Sequence, residues 1–101
     1  MLKYEKGLRS VKAALQGELD HQSAARVRQE LDELIADEGI TTLTLDVSGL
    51  TFMDSSGIGV ILGRYRLMQK RGGRVRLVGG NPRVDRILEV AGINTIVERE
   101  R

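Results

Sequence analysis

A chain of 101 residues with 41% hydrophobic and 30% charged side chains can bury one modest core, so a single domain over residues 1–101 is expected. With no cysteine and one histidine, disulfides and thiolate metal sites are excluded. The net charge of +2 hides an imbalance: residues 1–63 hold ten Asp/Glu against six Lys/Arg, and residues 64–101 hold ten Lys/Arg against four Asp/Glu.

Such asymmetry can mark a nucleic-acid face. Aromatic residues, however, make up only 3% of the chain and the arginines form no dense run. Stacking platforms are therefore scarce, and solvated helix faces with some partner steering are expected in place of nucleic-acid binding. The opening "MLKYEKGLRS" has no apolar signal core, and no run is long enough to span a bilayer. A cytoplasmic protein without membrane insertion is the expectation.

Taken in chain order, "LKYEK" and "RSVKAALQG" read as two strands joined at Gly7, with Val11, Ala13 and Leu15 on one face of the second. A helix follows over about Ser23–Glu38, because Val27, Leu31, Leu34 and Ile35 fall on one stripe, and Gly39 is positioned to end it in a left-handed turn. "TTLTLDV", Thr41–Val47, is the strongest strand, bounded by Ser48-Gly49. A second helix is expected from Ser56 or Gly57 to Lys70, burying Ile58, Ile61, Leu62, Tyr65 and Met68 and stopped by Gly72-Gly73. "RVRLVG" is a short strand. "NPRVDRILEVAG" is a helix with Asn81 as N-cap, Pro82 in first position, Asp85 in the first turn and Gly92 as stop, and "TIVER" is a last strand. The order ββαβαβαβ predicts an α/β fold with a mixed central sheet of four to five strands and interleaved helices.

The stretch "FMDSSGIGVILGRY", Phe52–Tyr65, falls where a central strand hands over to a helix, the place where open α/β sheets carry their sites. A nucleophile elbow centred on Ser55 needs glycine at 53, where Met53 stands; centred on Ser56 it meets Asp54 and Ile58. His21, the lone candidate base, belongs to another loop. Gly57-Ile58-Gly59 begins like a dinucleotide fingerprint, but Leu62 occupies the third glycine position and Gly63 comes one residue late. No Walker pattern follows. An oxygen-ligand metal site from Asp20, Asp46 and Asp54 has no specifying spacing, so neither metal nor cofactor is expected. Asp54, Ser55 or Ser56 can each cap the helix. Capping alone leaves unexplained three polar residues followed by two glycines, which cost about 1 kcal/mol each if interior to a helix. A modification site explains more: a phosphate on a serine at a helix N-terminus is welcomed by orphan N–H groups and the dipole, and its charge would repel a partner matched to the unmodified surface.

"GELDHQSA" (Gly17–Ala24) and "LTLDVSGLTFMDSSGIGVILGRYRLMQKRGG" (Leu43–Gly73) resemble the bacterial anti-sigma-factor antagonists of the STAS domain class, the sporulation type above all, and "NPRVDRILEVAGI" fits the third helix of that class. The resemblance covers nearly the whole chain. It implies a non-enzymatic regulator that binds an anti-sigma-factor serine kinase, releases a sigma factor, is switched off by phosphorylation, and is restored by a serine phosphatase. Carried over by position, Ser55 would be the phospho-acceptor (Ser56 the alternative), with Ser56 available as a helix cap. Asp20, Asp54, Gly57, Ile58 and Gly59 would contribute to docking. The cofactor ATP would belong to the partner. A non-cycling scaffold subunit of a larger signalling or transport assembly is the alternative function. Members of the class often continue past the last strand into a further helix, whereas this chain stops at "VERER".

Overall fold

The computed structural model describes residues 2–100, leaving Met1 and Arg101 of the expected domain outside the described residues. The elements are β1 (Leu2–Lys6), β2 (Ser10–Leu19), α1 (Ala24–Leu34), β3 (Thr42–Met53), α2 (Ser55–Lys70), β4 (Arg74–Val78), α3 (Pro82–Val90), a 3-10 turn over Ile93–Thr95, and β5 (Glu98–Glu100). They form one five-stranded sheet in sequence order, β1-β2-β3-β4-β5. β1 pairs antiparallel with β2, and every later pairing is parallel. The expected mixed α/β sheet is thus what forms. No helix among the described residues is long and apolar enough to cross a membrane.

The pleat sorts the side chains. Val11, Ala13 and Leu15 of β2, Leu43, Leu45 and Val47 of β3, and Val75 and Leu77 of β4 join a single buried cluster with Val27 and Leu31 of α1, Ile61 and Met68 of α2, and Val84 and Leu88 of α3. Residues in the alternate register form a polar row on the other face, Lys12 beside Thr44 beside Arg76 beside Glu98. Arg74 and Arg76 pair with Glu98 at 3.1 and 3.3 Å, and Arg76 also with Glu100. These are partly exposed pairs and each contributes little to stability.

Several boundaries differ from the sequence expectation. β3 continues through Ser48-Gly49 to Met53, because β2 stays paired beside it as far as Leu19↔Met53, with register shifts between Ala14 and Gln16 and between Gly17 and Glu18. Gly49 is a point of close approach and not a terminator: an added Cβ would lie 3.0 Å from the Leu15 carbonyl oxygen. α1 ends at Leu34 and not near Glu38. Gly39 has no left-handed backbone; instead Arg71 Nη1 donates to the Ile35 carbonyl at 2.7 Å and to those of Asp37 and Ile40 at 3.3 Å. The guanidinium of Arg71, the C-cap residue of α2, thus supplies a donor to the Ile35 carbonyl at the end of α1 and to two carbonyls of the loop that follows.

The buried side of α2 is also rotated from expectation. Gly57, Val60, Ile61, Arg64 and Met68 are buried, whereas Ile58, Leu62 and Tyr65 are half-buried. α2 packs against both sheet and α1, so its inward face is wider than one aliphatic stripe. The last strand is Glu98–Glu100, and its expected beginning, Thr95, belongs to the 3-10 turn. The α3 signals hold as expected: Asn81 Oδ1 accepts from the Val84 N–H at 3.0 Å, Pro82 opens the helix, and Gly92 is left-handed at φ 75°.

Candidate functional site

Because β2, β3 and β4 are mutually parallel, their C-terminal ends share one edge of the sheet. Three loops therefore gather there. One runs from Asp20 to Ser23, a second is the single residue Asp54, and the third runs from Gly79 to Asn81. This is the edge at which open α/β sheets build sites.

Asp54 is the N-cap of α2, with extended backbone. Its Oδ1 accepts from the Ser56 N–H at 2.8 Å and the Gly57 N–H at 3.3 Å. Its Oδ2 accepts from the His21 N–H at 3.2 Å, and its own N–H donates to the Leu19 carbonyl at 3.3 Å. One carboxylate thus starts the helix and ties it to the loop leaving β2. This corrects the expectation that Ser56 caps the helix: α2 begins at Ser55, so both serines lie inside its first turn. Asp54 prevails because it is the side chain one residue outside the helix and can reach two N–H groups beyond it. Asp54→Ala is expected to lose about 1–2 kcal/mol of stability in a urea titration, with Asp54→Asn losing less because the amide oxygen can still cap. Equal midpoints for Asp54→Ala and wild type would refute the capping role.

Asp20 closes the neighbouring turn. Its Oδ1 accepts from the N–H groups of Gln22 at 3.0 Å and Ser23 at 3.1 Å, while Ser23 Oγ donates to the Glu18 carbonyl at 2.8 Å. The Ser23 backbone bond leads the effects that lower the carboxyl pKa of Asp20 below its ordinary value, against a smaller opposing effect of desolvation. Asp46 stands apart from Asp20 and Asp54, accepting from the Ser48 N–H at 3.0 Å.

The structure therefore brings Asp20, Asp54, Ser55 and Ser56 to one edge, with Gly57 buried beneath them. Ser55 is exposed and Ser56 half-buried, facing a groove shared with α1. Gly59 is exposed. Gly57 is a packing glycine, since a Cβ there would lie 2.6 Å from both the Leu19 carbonyl oxygen and Met53 Cγ. Met53 is core at 2% exposure; Phe52 beside it is 38% exposed.

The family model of the STAS domain matches residues 8–100. The chain belongs to the STAS domain family. An anti-sigma F factor antagonist of Paenibacillus polymyxa is 43% identical over 83 residues, covering 82% of this chain and 71% of that relative. An anti-sigma-B factor antagonist of Listeria monocytogenes is 33% identical over 82 residues, covering 81% and 71%. The solved structure of the Bacillus cell fate determinant SpoIIAA in its phosphorylated form superposes with a TM-score of 0.76 at 29% identity, covering 98% of this chain and 90% of that one.

This STAS domain also exposes an apolar surface that the sequence pattern did not reveal. Ser55 and Ile58 of α2 line a groove of about 440 Å³ with Arg86, Ile87, Val90 and Ala91. Val90 is 78% exposed. Its signal in the sequence was its place off the Val84–Ile87–Leu88 stripe of α3, an apolar residue on the solvent side of its helix. An exposed aliphatic patch beside a polar loop has the composition of an interface core with its rim.

Proposed function

We propose that this STAS domain is an anti-sigma-factor antagonist: it binds an anti-sigma-factor serine kinase at the edge formed by Asp20, Asp54, Ser55, Ser56, Gly57, Ile58 and Gly59, so releasing a sigma factor, and phosphorylation of Ser55 ends the binding. The observation that carries the reading is the exposure of Ser55 in the first turn of α2, between a capping carboxylate and an apolar groove. Ser55 Oγ takes the terminal phosphoryl group of ATP held by the kinase, its proton passes to a base of the kinase, and ADP leaves. The product adds a charge of about −2 next to Asp54 on a surface that must meet a partner. A phosphatase restores the hydroxyl. The domain acts as the substrate of these enzymes and supplies no chemistry of its own. Its half-buried position makes Ser56 the poorer acceptor.

Mass spectrometry after incubation with ATP and the serine kinase encoded in the same genome tests the assignment. One phosphate is expected, absent from Ser55→Ala and retained in Ser56→Ala. The reverse pattern would move the site to Ser56, and an unmodified wild-type chain would sink the switch.

A further inference from the structure

Helix α2 contains Gly57, Gly59 and Gly63, and packing inside the fold accounts for the first alone. A Cβ on Gly57 would collide with β2, whereas one on Gly59 or Gly63 would meet nothing within 4 Å among the described residues. Neither has the left-handed backbone that calls for glycine. Glycine weakens a helix relative to alanine, so the isolated fold would be better served by alanine at both positions.

Four residues apart, Gly59 and Gly63 occupy one flank of α2. Gly59 lines a groove of about 310 Å³ with Ser56, Ala24, Ala25 and Arg28, which identifies that flank as the one toward α1. Ala25 and Arg28 also line a wider groove of about 730 Å³ that reaches Asp32 and Arg64. The two grooves share Ala25 and Arg28 and make one channel along the helices, with His21 and Ser56 at its upper end.

Arg64 is an independent anomaly in this channel. It is 9% exposed. Its Nε lies 3.1 Å from Asp32 Oδ1, but its Nη1 is buried without an acceptor among the described residues. Desolvation lowers its pKa, the nearby Arg28 adds to that, and Asp32 opposes both. A buried guanidinium with an unused donor is costly to the isolated protein and gains from a further carboxylate.

We propose that the α1–α2 channel is a docking surface for the serine kinase, occupied by a kinase segment whose backbone passes close over Gly59 and Gly63 and whose aspartate or glutamate pairs with Arg64 and Arg28. The inference rests on the antagonist reading above. Charge favours this occupant: Arg26, Arg28 and Arg64 line the channel against Asp32 and Glu33, and Asp32 is already engaged by Arg64. Continuity favours it too, since a kinase with its active site on Ser55 must extend over the adjoining surface, where Ser56 and His21 lead into the channel.

Calorimetric titration of the unphosphorylated chain with the kinase, paired with thermal melts, tests the proposal. Gly59→Ala and Gly63→Ala are each expected to raise the melting midpoint while weakening kinase binding about tenfold. Arg28→Glu, an exposed charge reversal, is expected to weaken binding by a similar factor and to slow association. A wild-type chain that fails to bind overturns the antagonist reading together with this inference. If wild type binds, Ser55→Asp does not, and the two alanine variants and Arg28→Glu bind like wild type, the channel is overturned and the switch stands. Lower melting midpoints for both alanine variants would show that these glycines serve the fold, and would equally overturn the proposal.

Discussion

Ser55→Asp is expected to weaken kinase binding by about 100-fold or more, equivalent to roughly 2.7 kcal/mol, while leaving the fold and its stability intact. The two effects separate because the position is the first residue of α2. A negative charge there is favoured by the helix dipole by about 0.3–1 kcal/mol, so circular dichroism should be unchanged and the melting midpoint equal or higher. At the interface the same charge stands beside Asp54, which is half-exposed, and must be desolvated against a surface matched to a neutral hydroxyl. Ser55→Ala removes only the hydroxyl and should bind within about threefold of wild type. Calorimetry that returned equal affinities for Ser55→Asp and Ser55→Ala would eliminate the electrostatic mechanism. A melting midpoint well below wild type for Ser55→Asp would instead mean that the substitution had damaged the helix.

Gly57→Ala should produce the largest loss of stability in α2. The new methyl would sit 2.6 Å from the Leu19 carbonyl oxygen and Met53 Cγ, and 2.9 Å from Leu19 Cγ. Met53 could turn; the Leu19 carbonyl is part of β2 and already accepts the Asp54 N–H, so it cannot withdraw without opening that link. Overpacking of this kind costs about 1–3 kcal/mol, and the backbone contact places this case at the upper end. For a domain of this size that corresponds to a fall of roughly 12–24 °C in melting midpoint. Gly59→Ala and Gly63→Ala, chemically identical changes on the same helix, should move the midpoint the other way, by about 0.5–1 kcal/mol each. Urea titrations of the three variants give a direct reading, and a Gly57→Ala protein as stable as wild type would show that β2 yields where the geometry says it cannot.

The contrast between these glycines marks how far the sequence could be read. Signals that act within a few residues came through: the Asn81–Pro82 start and Gly92 stop of α3, the alternation of Val11, Ala13 and Leu15, and the aliphatic repeat of α1 each depend on neighbours one or two turns away. Element order followed from them, and with it the mixed sheet. The position of "MDSSG" between a strand and a helix is equally local, and the structure places Asp54, Ser55 and Ser56 together at the start of α2, where the proposed site lies. Readings that failed depended on distant chain. β3 runs past Ser48-Gly49 because β2 lies beside it, and α1 ends at Leu34, where Arg71 from the end of α2 bonds carbonyls of the segment that follows it.

By itself, the sequence determined the order of elements and placed "MDSSG" in the loop between a strand and a helix, because period, caps and motif spacing are properties of short segments; the family came from the likeness of its longer motifs. Only the tertiary structure decided the division of labour inside that loop. Asp54 caps α2 and is held by the His21 N–H from 33 residues away, which leaves Ser55 exposed. The structure likewise separated Gly57, pressed against Leu19, from Gly59 and Gly63, which face open space. Residues that look alike along a chain acquire different roles through the atoms that folding places against them, and those atoms come from segments that no local pattern connects.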